Sequence, residues 1–362
     1  MESATTKRDP YIDIIKGIGI LSIVAGHSGG TIGLIRLNLS AFVYLYHIMI
    51  FFFIAGFCFK KEHGLRPYLY IGKRLGSVLP LFAAYSVFFV LLHNPLFRLG
   101  FFDESQHMYS RAEMVSYCLN AFVFQHIDIL LGAFWFIPMY IAAVGFFGVL
   151  FSVAERTGYP RFFHVLFAVL SGGLGVYAQN LSLAWHIQTS VLAVPVVYGG
   201  YAVRKHWDCI KRFIPSWGFA AAGCILYWIV TRPVGFVELS LNQIISPWLF
   251  YPITAVGVYF CMSLGKFLGR RNLSGRLFSC IGKNSYHIMA LHFFAFKIVD
   301  MVYGTLTQKE ASVICIFPHA FDYLWPVYDF FGIVMPLIFV GVIRLGVKCF
   351  NTLLSWAASA KS

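Results

Sequence analysis

The chain has 362 residues, of which 59% are hydrophobic and only 12% are charged, and its mean hydropathy is +0.73. Water-soluble domains are about 45–50% apolar and about 25% charged, so this composition excludes a soluble globular domain. It also excludes a disordered chain, which would be rich in polar residues. The formal net charge of +13 would suit a nucleic-acid-binding protein. We instead expect contact with membrane lipid and no nucleic-acid partner, because so apolar a chain confines its basic residues to short loops.

Ten segments are long and apolar enough to cross a bilayer, which requires about 20 residues. They are 11–29, 41–59, 75–93, 131–153, 162–178, 182–203, 214–230, 247–267, 284–304 and 328–349. Long apolar runs without strict alternation are typical of spanning helices. The first segment follows Lys7, Arg8 and Lys16 and also resembles a signal-peptide core, but the multispanning chain after it favours a retained span. We predict an all-α integral membrane protein, a bundle of about ten transmembrane helices.

The basic residues divide unequally between the two sides of these spans. One side carries 21 of them: Lys7, Arg8, Lys60, Lys61, Arg66, Lys73, Arg74, Arg156, Arg161, Arg204, Lys205, Lys211, Arg212, Lys266, Arg270, Arg271, Arg276, Lys283, Arg344, Lys348 and Lys361. The other side carries five: Arg36, Arg98, Arg111, Arg232 and Lys309. Cytoplasmic loops are enriched in Lys and Arg, so both termini are predicted to be cytoplasmic. We expect one transmembrane domain over 1–350 and a short cytoplasmic tail over 351–362.

Ionisable residues in the first span are candidates for function, because such groups are costly inside a membrane. Asp13 and Lys16 are three residues apart and share a helix face, so they can pair. Lys16 and His27 are eleven residues apart, which places them on one face about 16 Å apart along the axis. An imidazole with an ordinary pKa near 6.5 can take up and return a proton at neutral pH. His27 is therefore a candidate general base, although a lone buried His is also often only a hydrogen-bonding partner.

Further histidines occur in the second and ninth spans. His47 is predicted about two turns from the outer end of its span, at a depth similar to that of His27, where an interfacial aromatic residue is the alternative interpretation. His287 and His292 are five residues apart and do not share a helix face, so we expect no metal site. The long outer segments 94–130 and 305–327 indicate either a functional region or packing over the mouth of the bundle.

Five stretches together resemble acyltransferase family 3, a family of integral membrane proteins, from residue 8 to about residue 292. They are Asp13-x-x-Lys16-Gly17-x(9)-His27; His47-Ile-Met-Ile-Phe-Phe-Phe-Ile-Ala-Gly56-Phe; Lys73-Arg74 with Pro80; Phe134-Trp135-Phe136-Ile137-Pro138; and Ile281-Gly282-Lys283-Asn284-Ser285 with Leu291-His292. The family usually has Arg at the position of Lys16. A subset of the family that is related to fucose O-acetylases has Lys there, as this chain does. Lysine keeps the charge but lacks the planar fork with which Arg binds phosphate.

The resemblance implies a multi-pass O-acetyltransferase of the bacterial inner membrane. Such an enzyme moves an acetyl group from cytoplasmic acetyl-CoA, the donor substrate, to a sugar hydroxyl of an O-antigen, an exopolysaccharide or a similar glycan, or of a lipid-linked sugar. From this resemblance we expect His27 and His47 to be catalytic. We expect Lys16, Asp13, Lys73 and Arg74 to form the donor site, with Asp13 orienting Lys16, and Trp135, Asn284, Ser285 and His292 to bind substrate.

Other functions are compatible with the same residues. Ten spans with ionisable groups inside the membrane also suit a transporter or flippase for a lipid-linked sugar or small metabolite. A non-catalytic partner in polysaccharide export is a third hypothesis, and it predicts that Lys16 and His27 are both replaceable. If the protein is an acyltransferase, direct transfer and a covalent acyl-histidine intermediate both stay open.

Overall fold

The computed structural model describes residues 9–232, 236–244 and 246–359, and within them the chain is almost entirely helical. The α-helices are α1 (Pro10–Ser28), α2 (Leu39–Tyr44), α3 (Met49–Phe57), α4 (Lys61–Leu65), α5 (Pro67–Arg98), α6 (Arg111–Asn120), α7 (Phe136–Glu155), α8 (Pro160–Tyr177), α9 (Ile187–Lys205), α10 (Trp207–Ile210), α11 (Gly218–Val230), α12 (Pro247–Gly269), α13 (Asn272–Lys283), α14 (Ser285–Leu306), α15 (Ala311–Ile314) and α16 (Trp325–Ser359). Strands β1 (Thr31–Ile32) and β2 (Leu37–Asn38) form one antiparallel hairpin. Lys7, Arg8 and residues 360–362 of the predicted tail, with Lys361, lie outside the described residues.

Eight helices of the described chain are long and apolar enough to cross a membrane. They are Pro10–Ser28, Leu39–Phe57, Pro67–Arg98, Ile129–Glu155, Pro160–Asn180, Trp248–Gly269, Ser285–Leu306 and Asp322–Thr352. A ninth is added if Trp207–Phe213 and Gly218–Val230, which meet at a bend of 72°, form one span. The prediction of an all-α, multi-pass membrane protein is confirmed. The number of about ten spans and the cytoplasmic termini stay predictions.

The predicted sixth span, 182–203, is helix α9, which is not among these eight. Its polar residues reduce its hydropathy, and the protein provides partners for them. The Ser190 hydroxyl donates to the carbonyl of Met139 on α7 at 3.1 Å, and the Gln188 amide donates to Asn242 at 2.7 Å. Gly200 of α9 lies against α3 so closely that an added Cβ would be 2.0 Å from the Phe53 carbonyl oxygen. Helix α9 is thus packed among neighbouring helices, where it needs less apolar surface than a lipid-facing span.

The third span begins earlier than predicted. We expected it to start at residue 75, with Lys73 and Arg74 in the preceding loop, whereas α5 begins at Pro67. Proline is favoured at the first position of a helix, because its missing N–H would have no partner there. Lys73 and Arg74 therefore lie within α5, on different faces: Lys73 is exposed and Arg74 is half-buried.

Helix α1 is held at the centre of the bundle by very close contact with α13. A Cβ on Gly17 would lie 2.3 Å from the Phe278 carbonyl oxygen, and a Cβ on Gly282 would lie 1.8 Å from the Asp13 carbonyl oxygen. Further along α1, a Cβ on Gly26 would lie 2.5 Å from the Tyr44 ring. The glycines of α1 therefore permit close packing of helices.

The first long outer segment is fastened to the end of α5 by buried hydrogen bonds. Nδ1 of His93 lies 2.8 Å from the Asp128 carboxylate, and its Nε2 lies 3.1 Å from the carbonyl of His107. The Tyr109 hydroxyl donates to the same carboxylate at 3.2 Å. With both ring nitrogens of His93 facing acceptors, the segment packs firmly over this end of the bundle.

The second outer segment is fastened by charged residues inside α14. Lys297 donates to the Asp300 carboxylate at 3.1 Å and to the carbonyls of two residues of the segment, Ile314 and Ile316. Asp300 also accepts from the backbone N–H of Ala320 and from the Tyr328 hydroxyl of α16. A buried lysine and aspartate are tolerated here because each has several hydrogen-bonding partners.

Candidate active site

A cavity of about 180 Å³ lies between α1, α3, α5, α7 and α14, and Lys16 is part of its wall. We call it the Lys16 cavity and define it by Lys16, Ile23, Cys58, Arg74, Ser285 and Met289. Three of the predicted site residues, Lys16, Arg74 and Ser285, come together in it although they are far apart in the sequence. The remaining wall is mostly aliphatic and aromatic.

The Lys16 cavity has a positively charged region and one free thiol. Lys16 and Arg74 contribute the two cations, and the Arg74 guanidinium lies over the Tyr70 ring, 5.2 Å from its centroid. Cys58, at the end of α3, is exposed and makes no disulfide. Two cations beside an otherwise apolar space suit a ligand with an anionic part and an uncharged arm.

Four other predicted site residues lie elsewhere. Lys73 is exposed and does not line the Lys16 cavity, and Asp13 is buried on α1 where α13 packs. The Trp135 ring packs against His186 at a centroid distance of 4.9 Å. Asn284 follows α13 and accepts a hydrogen bond from Arg344 at 3.0 Å. Asn284 and Ser285 are thus neighbours in sequence that do not line the same space.

A group of histidine and aromatic rings surrounds the last turn of α1. We call it the histidine cluster; it consists of His27, Tyr44, His292, Phe293 and His319. The His27 ring lies 5.4 Å from the His292 ring and 4.7 Å from the Phe293 ring, between centroids. The Tyr44 hydroxyl lies 3.5 Å from Nδ1 of His27. His27 and His292, two predicted site residues, are therefore neighbours in space.

His292 carries a buried nitrogen without a partner among the described residues. Its Nδ1 lies 3.2 Å from the Ile288 carbonyl and 3.0 Å from the Met289 carbonyl. Because carbonyl oxygens only accept, Nδ1 carries the hydrogen and Nε2 presents a lone pair in the neutral ring. That Nε2 is buried without a hydrogen bond, so it is available to a hydroxyl or imidazole that approaches the cluster.

His47 lies behind Tyr44 and does not contact the His27 ring directly. It occupies the break between α2 and α3, where its Nδ1 lies 3.1 Å from the Val43 carbonyl. Its ring stacks on Tyr44 at a centroid distance of 4.5 Å, and Tyr44 in turn contacts His27 edge-on. His47 thus reaches the histidine cluster only through the Tyr44 ring.

His319 is a member of the cluster that the sequence did not single out. It belongs to the outer segment that Lys297 and Asp300 fasten, and it hydrogen-bonds the backbone of His27. Burial lowers the pKa of its imidazole below the ordinary value, so the ring is neutral near pH 7. The only sequence signal was a histidine in a segment predicted on the same side of the membrane as His27.

A thin apolar layer separates the Lys16 cavity from the histidine cluster. Ile23 lines the cavity one turn before His27 on α1, and Met289 lines it three residues before His292 on α14. At 1.5 Å per residue, these steps measure about 6 Å and about 4.5 Å along the two helices. No group of three or more His, Cys, Asp or Glu residues within the described ranges has the geometry to hold a metal ion. The cluster therefore offers acid–base groups, with a cationic cavity close beneath it.

A comparison with known protein families identifies the family to which this chain belongs. The family model described as an acyltransferase domain, acyltransferase family 3, matches residues 9–345. No curated protein and no solved structure matches the chain. The matched residues include α1 and α14, and so both the Lys16 cavity and the histidine cluster. The chain belongs to acyltransferase family 3 and is a multi-pass membrane acyltransferase.

Proposed function

We propose that this protein transfers an acetyl group from cytoplasmic acetyl-CoA to a sugar hydroxyl of a cell-surface glycan, across a bacterial inner membrane. One observation carries the proposal: α1 has Lys16 in the wall of the cavity and His27 in the histidine cluster, about 16 Å apart along one helix. A donor that enters from the Lys16 end and an acceptor that enters from the His27 end would meet beside this helix.

The Lys16 cavity suits only part of the donor. Its volume of about 180 Å³ is smaller than the roughly 300–1,000 Å³ of sites that enclose whole drug-sized ligands. We therefore assign it to the acetyl-pantetheine arm, with the nucleotide outside. Lys16 and Arg74 would attract the phosphates, since charged hydrogen bonds to phosphate are stronger than neutral ones. Lys73, which is exposed on another face of α5, has no part in this assignment.

His27 would act as the general base. It takes the proton from the sugar hydroxyl as that oxygen attacks the thioester carbonyl carbon, and it returns the proton to the CoA sulfur as the carbon–sulfur bond breaks. The acetyl ester and CoA thiol that result balance the reaction without another reactant. His292 would orient the His27 ring or the acceptor hydroxyl through its unpaired Nε2. His47 would act as a positioning residue by holding Tyr44 against His27.

Protection of Cys58 tests the donor site without knowledge of the acceptor. Cys58 lies in the wall of the Lys16 cavity and is exposed, so a maleimide should alkylate it in the purified full-length protein. Acetyl-CoA should slow this alkylation, measured by peptide mass spectrometry. The concentration for half-protection should rise about tenfold or more in Arg74→Ala and Lys16→Ala, since a charged hydrogen bond contributes about 1.5–3 kcal/mol.

The chain offers matched controls for this experiment. Cys209 is exposed and free but lies away from the cavity, so acetyl-CoA should leave its alkylation rate unchanged. Lys73→Ala removes a cation next to Arg74 in sequence and should leave half-protection unchanged. Alkylation of Cys58 at the same rate with and without acetyl-CoA would show that the donor does not bind in this cavity.

The acceptor half of the proposal needs a separate experiment. Mass analysis of cell-surface glycans from cells with and without the protein should reveal one acetyl group per repeating unit that depends on the protein. Loss of the whole glycan from the surface, with no change in acetylation of what remains, would instead favour transport of a lipid-linked sugar.

A further inference from the structure

A large basic groove lies beside helix α13, next to but distinct from the Lys16 cavity. Its volume is about 670 Å³, and α1, α13 and α16 form its walls with the end of α12. Four cations line it: Arg271, Arg276, Lys283 and Arg344. Asn284 separates it from the Lys16 cavity, because Asn284 lines the groove whereas the next residue, Ser285, lines the cavity.

Within the part of the chain that the structure describes, no acidic side chain compensates the positive charge of this groove. Among the ion pairs of the described residues, none joins any of these four cations to a carboxylate. The lining residues include no Asp or Glu. Arg344 is fixed toward the groove, since its Nη2 donates to the buried Asn284 side chain at 3.0 Å. Four cations around one space with no acidic lining residue are suited to bind an anion, and their number suits phosphate.

The surroundings of the groove indicate where that anion comes from. Arg344 lies on a stretch of α16 whose neighbouring side chains, Ile343 and Leu345, are exposed and apolar, as expected for a helix that faces lipid. On the opposite wall, α13 carries Arg276 beside Leu273 and Leu277, which are 83% and 53% exposed. An amphipathic helix of this kind lies at the level of the lipid headgroups. We therefore expect the groove to open toward lipid at the depth of the headgroups.

We infer that this groove binds the phosphate headgroup of an anionic phospholipid, while the lipid chains lie along α13 and α16. Basic pockets between membrane helices at the cytoplasmic side are suited to such headgroups. A lipid bound there would join α16 to α13, and α13 packs on α1 through Gly17 and Gly282. The inference does not rest on the proposed acetyl-CoA site, because the helix junction at Asn284 separates the two spaces.

Lipid titration of the purified full-length protein tests the inference. Native mass spectrometry in a neutral detergent should show saturable binding of phosphatidylglycerol and much weaker binding of phosphatidylcholine. In the double variant Arg276→Gln/Lys283→Gln, the affinity for phosphatidylglycerol should fall about tenfold or more. If the double variant does not fold, Arg276→Gln alone gives the same direction, because Arg276 is exposed and supports no core contact.

The controls separate this site from general charge and from soluble phosphates. The variant Lys205→Gln/Arg212→Gln removes two exposed cations elsewhere, and it should bind phosphatidylglycerol as the unmodified protein does. Acetyl-CoA and inorganic phosphate should not displace the lipid. If both double variants lost affinity for phosphatidylglycerol equally, binding would depend only on net charge, and the inference would be overturned. Displacement by acetyl-CoA would make the groove a nucleotide site, and displacement by inorganic phosphate would make it a site for soluble anions; either result would overturn the inference as well.

Discussion

His27→Ala is expected to reduce acetyl transfer about 10²- to 10⁴-fold, the range that a positioned general base contributes. The imidazole lies at the end of α1 within reach of Tyr44, His292 and Phe293, and alanine cannot move a proton there. The fold should be preserved, because the side chain is only half-buried and alanine is favourable in a helix.

Two measurements distinguish a catalytic role of His27 from a structural one. Glycan mass analysis should show loss of the acetyl group at unchanged protein abundance, and acetyl-CoA should still protect Cys58 from alkylation in the variant. His206→Ala, which removes an exposed histidine after α9, serves as the matched control and should acetylate normally. Full acetylation by His27→Ala would exclude His27 as the base.

Gly282→Ala is expected to destabilise the protein by about 3 kcal/mol or more, the upper part of the range for overpacking. A Cβ at this position would lie 1.8 Å from the Asp13 carbonyl oxygen and 2.7 Å from the Gly17 backbone nitrogen. Both contacts are with backbone, so no side chain can rotate away, and α1 must separate from α13. The gain in helix propensity from alanine, about 1 kcal/mol, is too small to offset this.

The same helix provides the control for Gly282. A Cβ on Gly275 would find its nearest neighbour at 3.5 Å, an ordinary van der Waals contact, so Gly275→Ala should be neutral or slightly stabilising. Thermal unfolding in detergent measures both variants. Because α1 carries Lys16, the Gly282→Ala protein should also need more acetyl-CoA to protect Cys58. Equal melting temperatures for the two variants would contradict the close contact.

The sequence predicted which segments are helical better than it predicted where each helix begins and ends. Hydropathy located the helical segments because lipid selects apolar composition directly. It placed Lys73 and Arg74 outside the third span because the first turns of α5 are polar on one side, which composition alone cannot distinguish from a loop. It counted 182–203 as apolar enough to span, whereas α9 is not among the eight helices that are; its polar Ser190 finds a partner on α7.

The candidate site was only partly predictable. Lys16 and His27 were found because both lie on one helix face, a relation that local periodicity determines. Lys297 and Asp300 have the same three-residue spacing as Asp13 and Lys16, so a search for charged pairs inside spans would also have found them. His319 offered no such local pattern, because its neighbours in the cluster come from other elements.

The sequence by itself thus determined the class of protein, the helical segments and the alignment of Lys16 with His27, since each depends on composition or on spacing within one helix. Only the tertiary structure decided that Arg74 and Ser285 join Lys16, that His292 and His319 join His27, and that Asn284 faces a different groove. The physical reason is that these contacts join distant parts of the chain. They depend on how closely helices approach, which glycines such as Gly17 and Gly282 permit but do not specify.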